Sequence, residues 1–171
     1  LIASLLFLLA LIVLITSSTI EIHLINPSTI WYLALAWAKS NSVLLLVGQG
    51  PLEKEIMTKV KEMNLQKSVI YLGQRNDIDK IYQVLDIFVL PSLYEGLPVV
   101  GIEAQAAGLP CVFSTAIDSS VSVSSKNVFI GLEKEPIKWA EKIVELNLQE
   151  NSRENVLKNT HYDIKTEAQK L

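Results

Sequence analysis

The sequence predicts an α/β domain built on a doubly wound parallel sheet. Two observations carry that reading. Short apolar runs rich in Val, Ile and Leu alternate with amphipathic stretches of helical period, and runs of that kind are strands buried on both faces. Most of the runs stop at glycine or proline, as a strand does where it feeds a loop. Strands that alternate with helices build βαβ units, and such units share a parallel sheet.

Taken in order, Val43–Val47 (VLLLV) is a buried strand closed by the turn Gly48-Gln49-Gly50-Pro51. Leu52–Asn64 follows as an amphipathic helix, with Leu52, Ile56, Val60 and Met63 on one side. Val69–Leu72 is a strand ended by Gly73, and Asp77 is placed to cap a helix that turns Ile78, Ile81, Tyr82 and Leu85 inward. Ile87–Leu90 is a strand stopped by Pro91-Ser92. The next helix starts near Pro98 and ends at Gly108, a C′ glycine with Pro110 behind it. Cys111–Ser114 and Asn127–Leu132 are strands, and a helix runs through Trp139, Ile143 and Leu146. The stretch Ser152–Leu171 is polar and helical, with Val156, Leu157, Tyr162 and Ile164 suited to a peripheral strap.

Composition narrows the function. Half of the 171 residues are apolar, which is a core-forming proportion for one domain. A net charge of −3, with lysines scattered along helices, offers no footprint for nucleic acid. One cysteine, Cys111, excludes a disulfide framework and reads as a buried inert thiol. His23 and His161 stand at no metal-ligand spacing. Trp31, Trp37 and Trp139 fill core or interface space.

Residues 1–41 are set apart as an atypical apolar segment, ahead of a domain over 42–171. Glu21 and Lys39 are the only carboxylate and ammonium side chains in residues 1–50. Leu1–Ile15 falls short of the ~20 apolar residues of a spanning helix. A buried helix, a strand pair or a signal core all fit it, and it has neither initiating Met nor basic flank.

Chemistry concentrates in Pro91–Val112, where Glu95 lies in the loop after a strand and Glu103 inside the next helix. The free amides at that helix start face the carboxyl ends of the strands, where α/β sheets take their ligands. Gly48-Gln49-Gly50 and Gly73-Gln74-Arg75 reach the same edge. A carboxylate accepts from two hydroxyls at once, which suits Glu103 to a ribose diol and Glu95 to hydroxyls of a hexose. Glu103 sits among Val99, Val100, Ile102, Ala104, Ala106 and Ala107, so the helix reads as buried nearly all round and its carboxylate as needing a partner. For an isolated pair, a solvated loop residue and a helix-surface charge would be the favoured reading, and it is these neighbours that argue against it. Gly48-Gln49-Gly50-Pro51-Leu52-Glu53 is a turn and no dinucleotide fingerprint, because Glu53 stands where the third glycine belongs.

EGLPVVGIE resembles the E-x7-E motif of the family 4 (group 1) glycosyltransferases, including those that build capsular and exopolysaccharide repeat units. LLLVGQGPLEKEI, VIYLGQRNDIDKIYQVLDIFVLPSLYEGLP and EAQAAGLPCV resemble the family's consecutive blocks, in order, and HYDIKTEAQKL is similar to the end of its capsular members.

The resemblance implies a Rossmann-like domain, one half of a GT-B fold, that binds a nucleoside diphosphate sugar for retaining transfer to a polysaccharide or lipid-linked acceptor. It implies that Glu95 lies by the donor sugar and that Glu103 binds the ribose hydroxyls. Amides around Gly96, Leu97, Pro98 and Val99 face sugar and phosphates (Pro98 itself has none to give), and Gln74 and Arg75 abut the base. Gly48 and Gly50 let the chain pass close to the ligand.

It implies no cofactor and no carboxylate-bound metal. The implied partner is an amino-terminal acceptor domain, and the implied setting is cytoplasmic, with room for peripheral contact at the inner membrane face through a lipid-linked acceptor. Family members also carry an Arg and a Lys that clamp the diphosphate ahead of the first block, where this sequence has only Lys39. Two other classes stay compatible. One is a non-catalytic nucleotide-sugar module that docks a separate acceptor-binding subunit, and the other is a regulatory α/β domain without nucleotide.

Overall fold

The computed structural model describes residues 10–14, 42–50, 52–95, 97–147, 156 and 162. Six strands form one sheet: β1 (Ala10–Leu14), β2 (Val43–Val47), β3 (Val69–Gly73), β4 (Ile87–Leu90), β5 (Cys111–Ser114) and β6 (Val128–Ile130). Their order is β3-β2-β1-β4-β5-β6, and every pairing is parallel. The chain thus winds outward from β1 in one direction, returns, and winds outward from β4 in the other. That reversal defines a doubly wound sheet and opens a crevice at its carboxyl edge. Of the structures open to Leu1–Ile15, the described residues take a strand at the centre of the sheet. Leu11 pairs with Leu44 on one side and Ile87 on the other.

Helices cover both faces: α1 (Glu53–Glu62), α2 (Ile78–Val84), α3 (Val99–Ala106) and α4 (Pro136–Asn147). The period-two alternation of strand side chains sorts the core into two layers. Leu44, Leu46, Ile87, Val89 and Val112 point to α1 and α4, where Ile56, Val60, Trp139 and Ile143 meet them. Val47, Phe88, Leu90, Cys111 and Phe113 point to α2 and α3, where Ile81, Tyr82, Ile102 and Ala104 close the layer. Cys111 is fully buried, which pushes its thiol well above the ordinary range and makes it inert. Tyr162 is half-buried against this second layer. Apart from Val156 and Tyr162, the expected helical tail lies outside the described residues, as do Trp31, Trp37, Lys39 and His161.

The ends of α3 follow the sequence signals. Pro98 occupies its N-cap, and Gly108 takes φ of 80° just past its C-cap. The Gly108 and Leu109 amides donate to the Gln105 and Ala104 carbonyls at 2.9 and 3.1 Å, which is a Schellman closure. Gly101 lets α3 lie close on the sheet, because a Cβ there would stand 2.9 Å from Phe113 Cε1. Gln105, fully buried, clasps the segment after β5. Its amide donates to the Gly101 and Val121 carbonyls at 2.9 and 2.8 Å. Its oxygen accepts from the Val123 amide at 2.8 Å and from Asn127 Nδ2 at 2.5 Å.

Candidate functional site

Three segments meet at the carboxyl edge of the sheet. The first is the turn after β2, where Gly48 takes φ of 126°, and the second is the turn after β3, where Gly73 takes φ of 62°. Both values fall where side-chain-bearing residues are strained. The two turns are tied together: the Gly48 amide donates to the Gly73 carbonyl, and Tyr71 Oη donates to the Gly48 carbonyl, each at 2.8 Å. The third segment is α3, reached through the loop that leaves β4.

Between these segments, and walled by α2 and α3, lies a cavity of about 730 Å³. Of the residues expected at a site, Gly48, Gln74, Arg75, Val99 and Glu103 line it together. Gly50, Glu95, Leu97 and Pro98 do not line it, and Gly96 lies outside the described residues.

Glu103 corrects one step of the sequence argument. The helix is not buried all round, for Val99, Glu103 and Ala106 are exposed on one side and form the cavity wall. Small and β-branched apolar residues serve an open face as readily as a packed one, so composition alone did not separate the two. The carboxylate also has a protein partner: Tyr82 Oη stands 3.2 Å from Glu103 Oε2 and 3.1 Å from the Val100 carbonyl. Tyr82 was expected only as core. It is buried, yet it lines the cavity as well.

Glu95 is placed differently. It is 7% exposed, accepts from Ser92 Oγ at 3.2 Å, and bridges in parallel fashion to Ile117. Burial raises its carboxyl above the ordinary range, and the Ser92 hydroxyl opposes that rise. Ser92 is held in turn, its carbonyl accepting from Ser114 Oγ. Asp77 stands at the N-cap of α2, but its carboxylate caps nothing. Arg75 engages it through Nε and Nη2, each at 2.8 Å, and this fork sets the guanidinium at the cavity. The Arg75 bond holds Asp77 below the usual carboxylate range.

The first turn of α3 has no side-chain cap, since Pro98 fills that position. Amides of an uncapped helix start are donors for an anion. Uncapped amides, a carboxylate and two glycine turns around one concavity suit a ligand with both phosphate and hydroxyl groups. Among the described residues no group of three His, Cys, Asp or Glu side chains is placed to hold a metal, and no helix is long and apolar enough to cross a membrane.

Residues 30–162 match the family described as Glycosyl transferases group 1. The chain is 39% identical over 127 residues to the putative glycosyltransferase EpsF of Bacillus subtilis, covering 74% of this chain and 33% of that protein. It is 44% identical over 92 residues to an Escherichia coli UDP-Gal:alpha-D-GlcNAc-diphosphoundecaprenol alpha-1,3-galactosyltransferase, covering 53% of this chain and 23% of that protein. The chain therefore spans a third or less of these relatives.

Among solved structures, WaaG, a glycosyltransferase involved in lipopolysaccharide biosynthesis, superposes with a TM-score of 0.67 at 17% identity, over 83% of this chain and 38% of that one. Anabaena HepE in complex with UDP-glucose gives 0.64 at 20% identity, over 81% and 38%. The C-terminal domain of a group 1 family protein, LpcC of Francisella tularensis, gives 0.66 at 21% identity, over 89% of this chain and 81% of that domain. These likenesses establish the fold, one half of the GT-B architecture.

Proposed function

The chain belongs to the group 1 glycosyltransferases, and from that premise we propose that its sheet is the half of the enzyme that binds a nucleoside diphosphate sugar. The sugar passes, with retention at the anomeric carbon, to a polysaccharide or lipid-linked acceptor. The observation that carries this reading is the placement of Glu103 on the open face of α3, over the cavity shared with Gly48, Gln74 and Arg75.

On this reading each residue takes a role. Glu103 accepts from both hydroxyls of the ribose. Uncapped amides at the start of α3, beginning with Val99, meet the diphosphate, whose charge the helix end favours. Gly48 brings the backbone close to the ligand, with Gly50 behind it, and Gln74 and Arg75 flank the base. The loop of Glu95, Gly96, Leu97 and Pro98 faces the sugar. Glu95 orients the sugar once its carboxyl turns out from Ser92.

Transfer also requires an acceptor held in the same water-poor cleft, and such positioning is worth ~7–11 kcal/mol of barrier. A facing domain supplies that second wall. Leu93, Tyr94, Leu97 and Val99 expose apolar surface along the β4–α3 loop, and this suits it to such an interface. A lipid-linked acceptor would bring the assembled enzyme to the cytoplasmic face of a membrane.

Calorimetric titration with UDP and UDP-sugars tests the reading. Each charge-assisted hydrogen bond is worth about 1.5–3 kcal/mol, less what water restores at an exposed carboxylate, so Glu103→Ala should cost about 2 kcal/mol. That is roughly a thirty-fold loss of affinity. A Glu103→Ala chain that binds UDP like the parent would refute the site.

A further inference from the structure

Tyr82 does more at the cavity than fill space. Its ring belongs to the core: the side chain is 3% exposed and meets Phe88 edge-on, with centroids 6.2 Å apart. Its hydroxyl reaches the opposite environment. It stands 3.2 Å from Glu103 Oε2 and 3.1 Å from the Val100 carbonyl. A phenol has one proton and both neighbours accept, so the two share it. The Val100 carbonyl lies within α3 and is served by the amide four residues on. The carboxylate sits on the exposed face of the helix and has no such built-in donor.

The geometry points to Tyr82 as the residue that positions Glu103 for a vicinal diol, an assignment that rests on the ribose-binding reading of Glu103. An exposed glutamate samples several rotamers, and a ligand that needs one of them must order the side chain first. A hydroxyl anchored in the core removes much of that disorder before the ligand arrives. The lone pairs also suffice. A carboxylate offers about four acceptor sites, and Tyr82 occupies one of them. Three remain for two diol hydroxyls. The donor is constant across the working pH range, because burial first, and the nearby carboxylate second, raise the phenol far above neutrality.

The test is calorimetric titration of the 171-residue chain with UDP and with UDP lacking both ribose hydroxyls. Parent, Tyr82→Phe, Glu103→Ala and the double variant are compared. Phenylalanine keeps the ring in the core and removes only the hydroxyl. Ordering one long side chain is worth about a two- to ten-fold change in affinity, and Tyr82→Phe should weaken UDP binding by that factor. It should leave the dideoxy nucleotide unaffected, and the effect should vanish in the Glu103→Ala background. A loss shared equally by both nucleotides would mark Tyr82 as structural only and overturn the proposal. Unchanged UDP affinity in Tyr82→Phe, beside a clear loss in Glu103→Ala, would overturn it while leaving the ribose reading intact. No loss in Glu103→Ala would remove both.

Discussion

Replacing Gly101 by alanine puts a methyl group into space that the sheet already occupies. The new Cβ would stand 2.9 Å from Phe113 Cε1, 3.1 Å from its Cζ and 3.2 Å from Val121 Cγ2. Phe113 cannot swing aside. It is fully buried between Phe88 and Phe129, with ring centroids at 6.2 and 5.5 Å. Overpacking of this kind costs about 1–3 kcal/mol, while alanine recovers up to about 1 kcal/mol of helix propensity. The expected net is a destabilisation of about 1 kcal/mol for Gly101→Ala. Valine adds two further methyls without the propensity gain, so Gly101→Val should lose about 3 kcal/mol. Relief comes from lifting α3 off β5, and that shifts Glu103 relative to Tyr82 on α2. UDP affinity should therefore fall in the same order. Urea unfolding reports the stability through the midpoint at constant slope. A Gly101→Ala chain stabilised by about 1 kcal/mol, binding UDP normally, would refute the close-packing argument.

Gln105→Leu strips the clasp of four hydrogen bonds, leaving the Val121 carbonyl and the Val123 amide without their side-chain partner, while Asn127 keeps its bond to Ser122 Oγ. A loss of about 2–4 kcal/mol is expected by thermal or urea unfolding, and one below about 0.5 kcal/mol would show that water replaces the clasp. Glu95→Gln tests linkage. Because burial raises the Glu95 carboxyl in the fold, its stabilising effect is complete below the unfolded pKa and lost as pH rises through the folded one. The permanently neutral glutamine should make the chain more stable than the parent near neutrality and equal to it at about pH 3. A stability difference that does not vary with pH would contradict the burial of that carboxyl.

The parts of this fold that were legible are those where one physical signal dominates. Val43–Val47, Ile87–Leu90 and Cys111–Ser114 are strands as expected, since short β-branched runs between turn residues fit no other element well. Pro98 and Gly108 bracket α3 because each satisfies a backbone requirement at a helix end. The strand Ala10–Leu14 was hidden inside an apolar run that carries no period, and pairing rather than pattern selects its five residues.

At the cavity, Glu103, Gly48, Gln74 and Arg75 were legible as a set, because each was expected at the carboxyl edge of the sheet. Tyr82 was not. Helical period says that a residue points inward, but it cannot say whether the inward side is solid or ends at a cavity. The Asp77 carboxylate was open to two uses, a helix cap or an arginine two residues away, and the bidentate fork with Arg75 wins.

The central place of β1 has a consequence for how the molecule is made. Its register joins Leu11 to Leu44 and to Ile87, so one flank closes against β2 and the other only when β4 has been synthesised. Until then an apolar strand carries an open edge, and such edges recruit other chains. Pairings this far apart in sequence also slow the search for the native topology. The half-sheet β1-β2-β3 can assemble as the chain emerges, but the crevice exists only after β4 docks on β1. Ligand binding therefore reports that β4 and α3 are in place, and a nascent chain halted before Ile87 should show strand structure without the cavity.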